Sequence, residues 1–106
     1  MEEIKLVLND KNRGAFLATE AGEQLGEMVV GIAGSDLTVY HTEVSDKAEG
    51  RGLAKKMLNA MADHARQHNL KVIPLCTFVH TQFRRRPAEY ADIWAGDGSR
   101  NITPRL

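Results

Sequence analysis

Three groups of residues in this chain have types suited to covalent or anion chemistry, and their order brings them together. The first is Cys76, the only cysteine, which follows the run Lys71-Val72-Ile73-Pro74-Leu75. A thiolate can accept an acyl group and pass it on in two steps. The second is His41; an unperturbed imidazole titrates near pH ~6.5, so histidine is a residue type that can take a proton from a thiol or an amine. The third is Gly50-Arg51-Gly52-Leu53-Ala54, which opens a long amphipathic segment. The first N–H groups of a helix have no intrahelical partner, and the helix dipole adds positive character there. Glycines let a phosphate approach those groups. Each feature also has a plainer reading. A lone cysteine is commonly a small buried hydrophobe, a strand histidine a satisfied polar group, and Gly-x-Gly a tight turn.

The elements around these residues decide how they meet. Leu37 to His41 reads as a strand continuing to Val44, Leu53 to His68 as a helix, and Lys71 to Leu75 as a strand. A helix of that length joins two strands in parallel by a right-handed crossover. The carboxyl ends of both strands and the amino end of the helix then lie on one side. His41, Cys76 and Gly52 are therefore expected at one edge of one unit.

Three earlier runs, Ile4–Leu8, Gly14–Thr19 and Gln24–Ile32, are separated by short turn-rich clusters and read as an antiparallel meander. In the long helix Leu53, Met57, Met61 and Ala65 recur every four residues, with Ala54, Leu58 and Ala62 beside them, which predicts one buried stripe. Lys55, Lys56, Asn59, Asp63 and Arg66 fall on the solvent side, and Asn69 suits a C-terminal stop. Thr77 to Arg86 reads as a second, short helix with Phe78, Val79 and Phe83 inward, ended by Pro87; a further turn lays Tyr90 and Trp94 on the core. The expected fold is α/β (α+β). It has a mixed, mostly antiparallel sheet of about five strands, a parallel strand–helix–strand unit, one long helix and one short helix. Residues 1–95 form one domain and residues 96–106 a flexible tail.

Pro74 cannot donate to a sheet ladder, so it marks either an edge strand or a place where pairing stops. If pairing stops there, the parted parallel strands expose backbone groups on which an extended ligand can dock.

Composition narrows the partners. A single cysteine suits a reducing compartment, and the acidic start Met1-Glu2-Glu3 is unlike a signal peptide, so a cytoplasmic location is expected. No apolar run is long enough for a membrane span. Net charge is zero, but residues 1–50 carry four Lys/Arg against ten Asp/Glu, and residues 51–106 carry ten against four. The half holding the glycine turn thus suits a polyanionic ligand. Arg84-Arg85-Arg86 lacks interleaved aromatics, so no nucleic-acid role is expected. The turn is not a Walker A loop, having no Gly-Lys-Ser/Thr, nor a dinucleotide fingerprint, lacking the third glycine. His64 and His68 are spaced i, i+4, but no third ligand follows, so no metal is expected.

Taken together, His41-Thr42-Glu43-Val44, Glu49-Gly50-Arg51-Gly52-Leu53-Ala54, Pro74-Leu75-Cys76-Thr77-Phe78 and Arg84-Arg85-Arg86-Pro87-Ala88-Glu89-Tyr90 resemble the GCN5-related N-acetyltransferases. More narrowly they resemble the small single-domain, YjdJ-like branch. Glu49 stands where the general signature has Gln or Arg. Gly52 and Ala54 satisfy its last two positions.

The resemblance implies an acetyl-coenzyme A site, with that thioester as cosubstrate and a primary amine (small molecule or protein) as acceptor. Its diphosphate would sit on Gly50, Arg51, Gly52, Leu53 and Ala54, with Lys55 or Lys56 in reach. The pantetheine arm would pair near Glu43 and Val44, beside Pro74, and the adenosine end would lie near His80, Phe83 and Arg84. Cys76 and His41 would be the catalytic candidates, with or without an acetyl-cysteine, and Tyr40 and Glu43 could orient them. A monomer or weak dimer is expected. Two other readings fit the same residues: a coenzyme A-binding or acyl-CoA-binding module without turnover, and an interaction domain whose glycine turn is only structural.

Overall fold

The computed structural model describes residues 2–95; the tail expected over 96–106 lies outside the described residues. Four strands, β1 (Glu3–Leu8), β2 (Arg13–Glu20), β3 (Glu23–Ala33) and β4 (Asp36–Val44), form an antiparallel meander. A 3-10 turn over Asp46–Ala48 leads to α1 (Leu53–Gln67). The fifth strand, β5 (Lys71–Pro74), pairs in parallel with β4, giving the sheet order β1-β2-β3-β4-β5. Two helices follow, α2 (Thr77–Arg85) and α3 (Pro87–Tyr90). The fold class is the one expected from the sequence.

Alternation assigns the two sheet faces. Phe16, Met28, Val30, Leu37, Val39 and Val72 share a face by register and are buried. Against them α1 lays Leu53, Met57, Leu58, Met61, Ala62 and Ala65. Val79, Phe83 and Tyr90 extend the same core. The shortest dimension, 20 Å, accommodates the sheet and one helix layer at ~10 Å spacing. The other face, carrying Lys5, Val7, Leu17, Val29, Thr38, Tyr40, His41 and Glu43, is therefore open; Val7 and Tyr40 are each 47% exposed.

Differences from the sequence reading are local. The long helix ends at Gln67, and Asn69 closes the turn in the left-handed region at φ 56°. Strand β5 stops at Pro74, and Leu75 is exposed. Phe78 packs against the core but is only half-buried, while Val79 and Phe83 are fully enclosed. Lys56 is not simply solvated, because its Nζ donates to Glu2 Oε1 at 2.8 Å.

Burial and the neighbouring His68 push the His64 imidazole below its ordinary value of 6.5. The folded state thus binds fewer protons at that site, so its stabilisation is present above pH 6.5 and is lost as pH falls through the lower folded value. Lys56 and Arg51 hold the Glu2 and Glu20 carboxyls below 4.5, and Arg66 holds Asp92 below 3.8. Their contributions are present above those values and disappear at lower pH. Urea midpoints should therefore fall in two acid steps. His64→Gln should flatten the first and leave the second.

Candidate active site

The site is built where β4 and β5 part. Their pairing runs from Asp36↔Lys71 to Val39↔Pro74 and stops. The N–H of Cys76 then donates to Val39 O at 2.9 Å, closing the apex of the fork. Beyond it β4 continues to Val44 with β3 on one side and no β5 partner on the other. Both readings of Pro74 hold: pairing with β4 stops there, and β5 is the last strand in the sheet order. The outer side of β5 is covered at Val72, which donates to Ile93 O and accepts from the Ala95 N–H.

At the apex β4 also changes register. Val29 pairs with His41 and Val30 with Val39, so Tyr40 is an extra residue in the ladder. Such a bulge re-aims the following side chains. Thr42 turns toward the helix layer, where its Oγ1 lies 3.3 Å from Cys76 Sγ. His41 and Glu43 point to the open face, 3.6 Å apart at Nε2 and Oε1. The fork thus has a thiol and hydroxyl on one face and an imidazole and carboxylate on the other. His41 and Cys76 come to the same edge but not into contact, and the partner of the thiol is Thr42. Neither the bulge nor Thr42 was singled out in the sequence; the alternation of β4 gave no sign of a one-residue slip.

Below the fork lies the start of α1. Gly52 is its N-cap, at φ 74°, and offers no side-chain cap. Its carbonyl accepts the first helical bond from Lys56 N at 3.0 Å. The N–H groups of Leu53, Ala54 and Lys55 therefore have no helical acceptor, and no acidic residue occupies the first turn. Gly50, at φ 88°, turns the chain just ahead, and added Cβ atoms at Gly50 and Gly52 would meet open space. A cleft of about 240 Å³ is lined by Val44, Ala48, Glu49, Gly50, Gly52, Leu53 and Ala54. A neighbouring depression of about 400 Å³ is lined by Gly26, Glu43, Val44 and Ser45, among others. The buried Ser45 hydroxyl has no partner among the described residues.

The cations expected here divide. Arg51 NH1 donates to Glu20 Oε1 at 2.7 Å and lies 3.6 Å from Glu2, and those contacts raise its pKa further. With Lys56 also held by Glu2, Lys55 is left as the half-buried lysine of the first turn with no ion pair among the described residues. Phe83, expected near the adenosine end, lies within the core. It is fully buried and stacks on Tyr90 at 4.5 Å between ring centroids. The His80 ring stands edge-on to Trp94 at 6.0 Å, and the backbone N–H of His80 donates to Cys76 O at 2.9 Å. No group of three metal-ligating side chains occurs among the described residues, and no described helix is long and apolar enough to cross a membrane.

Chemically, unpaired amides at a helix start suit a diphosphate, and the free β4 edge suits an extended amide-bearing arm. The orphaned amides of α1 and the unpartnered Ser45 hydroxyl are where such a molecule would find its polar partners.

Known proteins share this fold. A GCN5-like protein from Staphylococcus aureus is 31% identical, with a TM-score of 0.64, over 89% of this chain and 88% of its own. The ribosomal-protein-alanine N-acetyltransferase of Brucella melitensis biovar Abortus 2308 shares the fold at 22% identity and a TM-score of 0.59, over 82% of this chain and 64% of its own. The ribosomal-protein-S18-alanine N-acetyltransferase of Escherichia coli does so at 13% identity and 0.57, over 62% of this chain and 43% of its own. The present chain thus spans less than half the length of the Escherichia coli enzyme. A family model for the GCN5-related N-acetyl-transferases matches residues 15–93, from β2 to just beyond α3, and the chain belongs to that family.

Proposed function

We propose that this protein transfers the acetyl group of acetyl-coenzyme A to a primary amine by direct attack at the β4–β5 fork. The observation that carries the reading is the fork itself. Pairing ends at Val39 and Pro74, and the free edge of β4 runs on to Val44, which lines one cleft with the uncapped start of α1, so one extended ligand can reach both. The amides of Leu53 and Ala54, with Lys55, would hold the diphosphate. The edge of β4 near Glu43 and Val44 would align the arm, with Cys76 and Thr42 lining the thioester on the helix side. On the open face His41, oriented by Glu43, would take a proton from the incoming amine. The nitrogen forms a C–N bond to the acetyl carbon, the C–S bond breaks, and the coenzyme A thiolate leaves and takes up a proton.

A second reading has one observation in its favour: Cys76 is the N-cap of α2 at the apex of the fork, where its sulfur lies 3.3 Å from Thr42 Oγ1. There the thiol would carry the acetyl group before the amine receives it. Direct transfer fits better, because the base on the open face does not touch that sulfur.

The small YjdJ-like branch is the narrower placement, supported by the near-complete mutual coverage with the Staphylococcus aureus protein. A cytoplasmic setting is in keeping with a free, unpaired thiol. The test is mass spectrometry of a primary-amine panel incubated with the protein and acetyl-coenzyme A. Acetylated amine is expected. Calorimetric binding of acetyl-coenzyme A with no product from any amine would instead favour a binding module, and no binding at millimolar ligand would sink both.

A further inference from the structure

The open face holds a second depression. It measures about 550 Å³ and is lined by Asn9, Arg13, Val29 and Tyr40. Its floor is Gly31. A Cβ added there would meet the Tyr40 ring at 3.3 Å, its hydroxyl at 3.4 Å and Arg13 Cγ at 3.7 Å. Glycine therefore lets the phenol and the guanidinium stem close over the same spot.

Register fixes where this lies. Arg13 pairs with Gly31, and the next same-face position, Ala15, pairs with Val29, which pairs with His41. The depression is thus beside His41, across two strand spacings of ~5 Å each. Arg13 is exposed and has no ion pair among the described residues. Asn9 Oδ1 accepts the N–H groups of Lys11 and Arg13 at 2.8 and 3.0 Å, which leaves the side-chain NH₂ as a donor. Beyond His41 the polarity reverses: Glu43 stands directly across from Glu27. Two facing carboxylates disfavour each other and favour a cation between them. One face therefore presents carboxylates, then the imidazole, then a guanidinium with a phenol and an amide.

We infer that the acceptor is a primary amine bearing a carboxylate, its anionic end held by Arg13, Tyr40 and Asn9 and its amine end at His41 and Glu43. This deepens the acetyl-transfer reading and rests on it for the identity of the reaction. Arg13 would act as a specificity-determining residue, through the forked hydrogen bonding that guanidinium offers a carboxylate.

Matched probes test it. Aminocaproate, hexylamine and hexamethylenediamine have similar chains and differ at the far end. Aminocaproate should show kcat/KM at least ~10-fold above hexylamine, and Arg13→Glu should reverse the order in favour of the diamine. Acetyl-coenzyme A affinity should be unchanged in that variant. Separately, titrating aminocaproate into the protein without acetyl-coenzyme A should shift the amide resonances of Val29, Gly31 and Tyr40 in wild type and not in Arg13→Glu. Turnover that is indifferent to the carboxylate, or shifts absent from Gly31, overturns the inference while leaving acetyl transfer intact. Shifts at Gly31 with no acetyl transfer to any amine would uphold the site and fell the transfer reading.

Discussion

Ala54→Asp should make the protein slightly more stable and nearly unable to bind acetyl-coenzyme A. The two effects have opposite signs because they draw on the same unpaired amides. Ala54 is the second residue of α1, whose N-cap is a glycine without a side chain and whose first turn has no acid. A carboxylate placed there meets the positive end of the helix, which is worth ~0.3–1 kcal/mol to the fold. The same carboxylate would stand in the cleft formed by Gly50, Gly52 and Leu53, where the diphosphate is proposed to lie. Like charges forced together at an interface cost several kcal/mol. An increase in Kd of ~100-fold, equivalent to ~2.7 kcal/mol, is the expected scale.

Calorimetry reads the binding and thermal melting reads the fold. Unaltered affinity in a folded Ala54→Asp protein would remove the diphosphate from the start of α1. A drop in both quantities would point to damage instead. Arg51→Ala gives a useful contrast. Its guanidinium already faces Glu20 and Glu2, so its removal should weaken binding far less than the added acid does.

What the sequence revealed of this site depended on how local the cause was. The β4–turn–α1–β5 unit could be read because a period of two gives way to a period near four at Leu53, and glycines mark the change. Pro74 pointed to an edge or to the end of pairing, without choosing between them, because a proline has no N–H to give. Phe83 was read correctly as inward from the helix period, but its stacking on Tyr90, a residue seven positions on, came only with the fold. The bulge at Tyr40 was missed for a related reason. A single extra residue leaves the composition of the strand unchanged yet sends His41 to the open face and Thr42 to the helix side. Arg51 was read from its place in the glycine turn, whereas its partners Glu20 and Glu2 are distant in sequence and brought near only by folding. Gly31 drew no notice, and only the structure shows what sits above it.

That division of His41 and Cys76 between two faces sets up the second large effect. His41→Ala should lower kcat by ~10²- to 10⁴-fold, the range a positioned proton acceptor contributes, while acetyl-coenzyme A affinity stays near that of wild type. Raising the pH should restore part of the rate, because more of the amine then arrives unprotonated. Cys76→Ala should cost less than ~10-fold, since direct transfer asks the thiol only to line the thioester beside Thr42. Cys76→Ser should resemble wild type more closely, because a hydroxyl can keep the contact with Thr42 Oγ1. The decisive companion measurement is intact-protein mass after incubation with acetyl-coenzyme A and no amine. Direct transfer predicts no gain of an acetyl group, about 42 Da, on Cys76. An adduct that forms and then disappears when amine is added, together with inactivity of both cysteine variants, would transfer the central role to the sulfur. His41 would then serve only the second half of the reaction, because the fork holds the imidazole on the face away from the thiol.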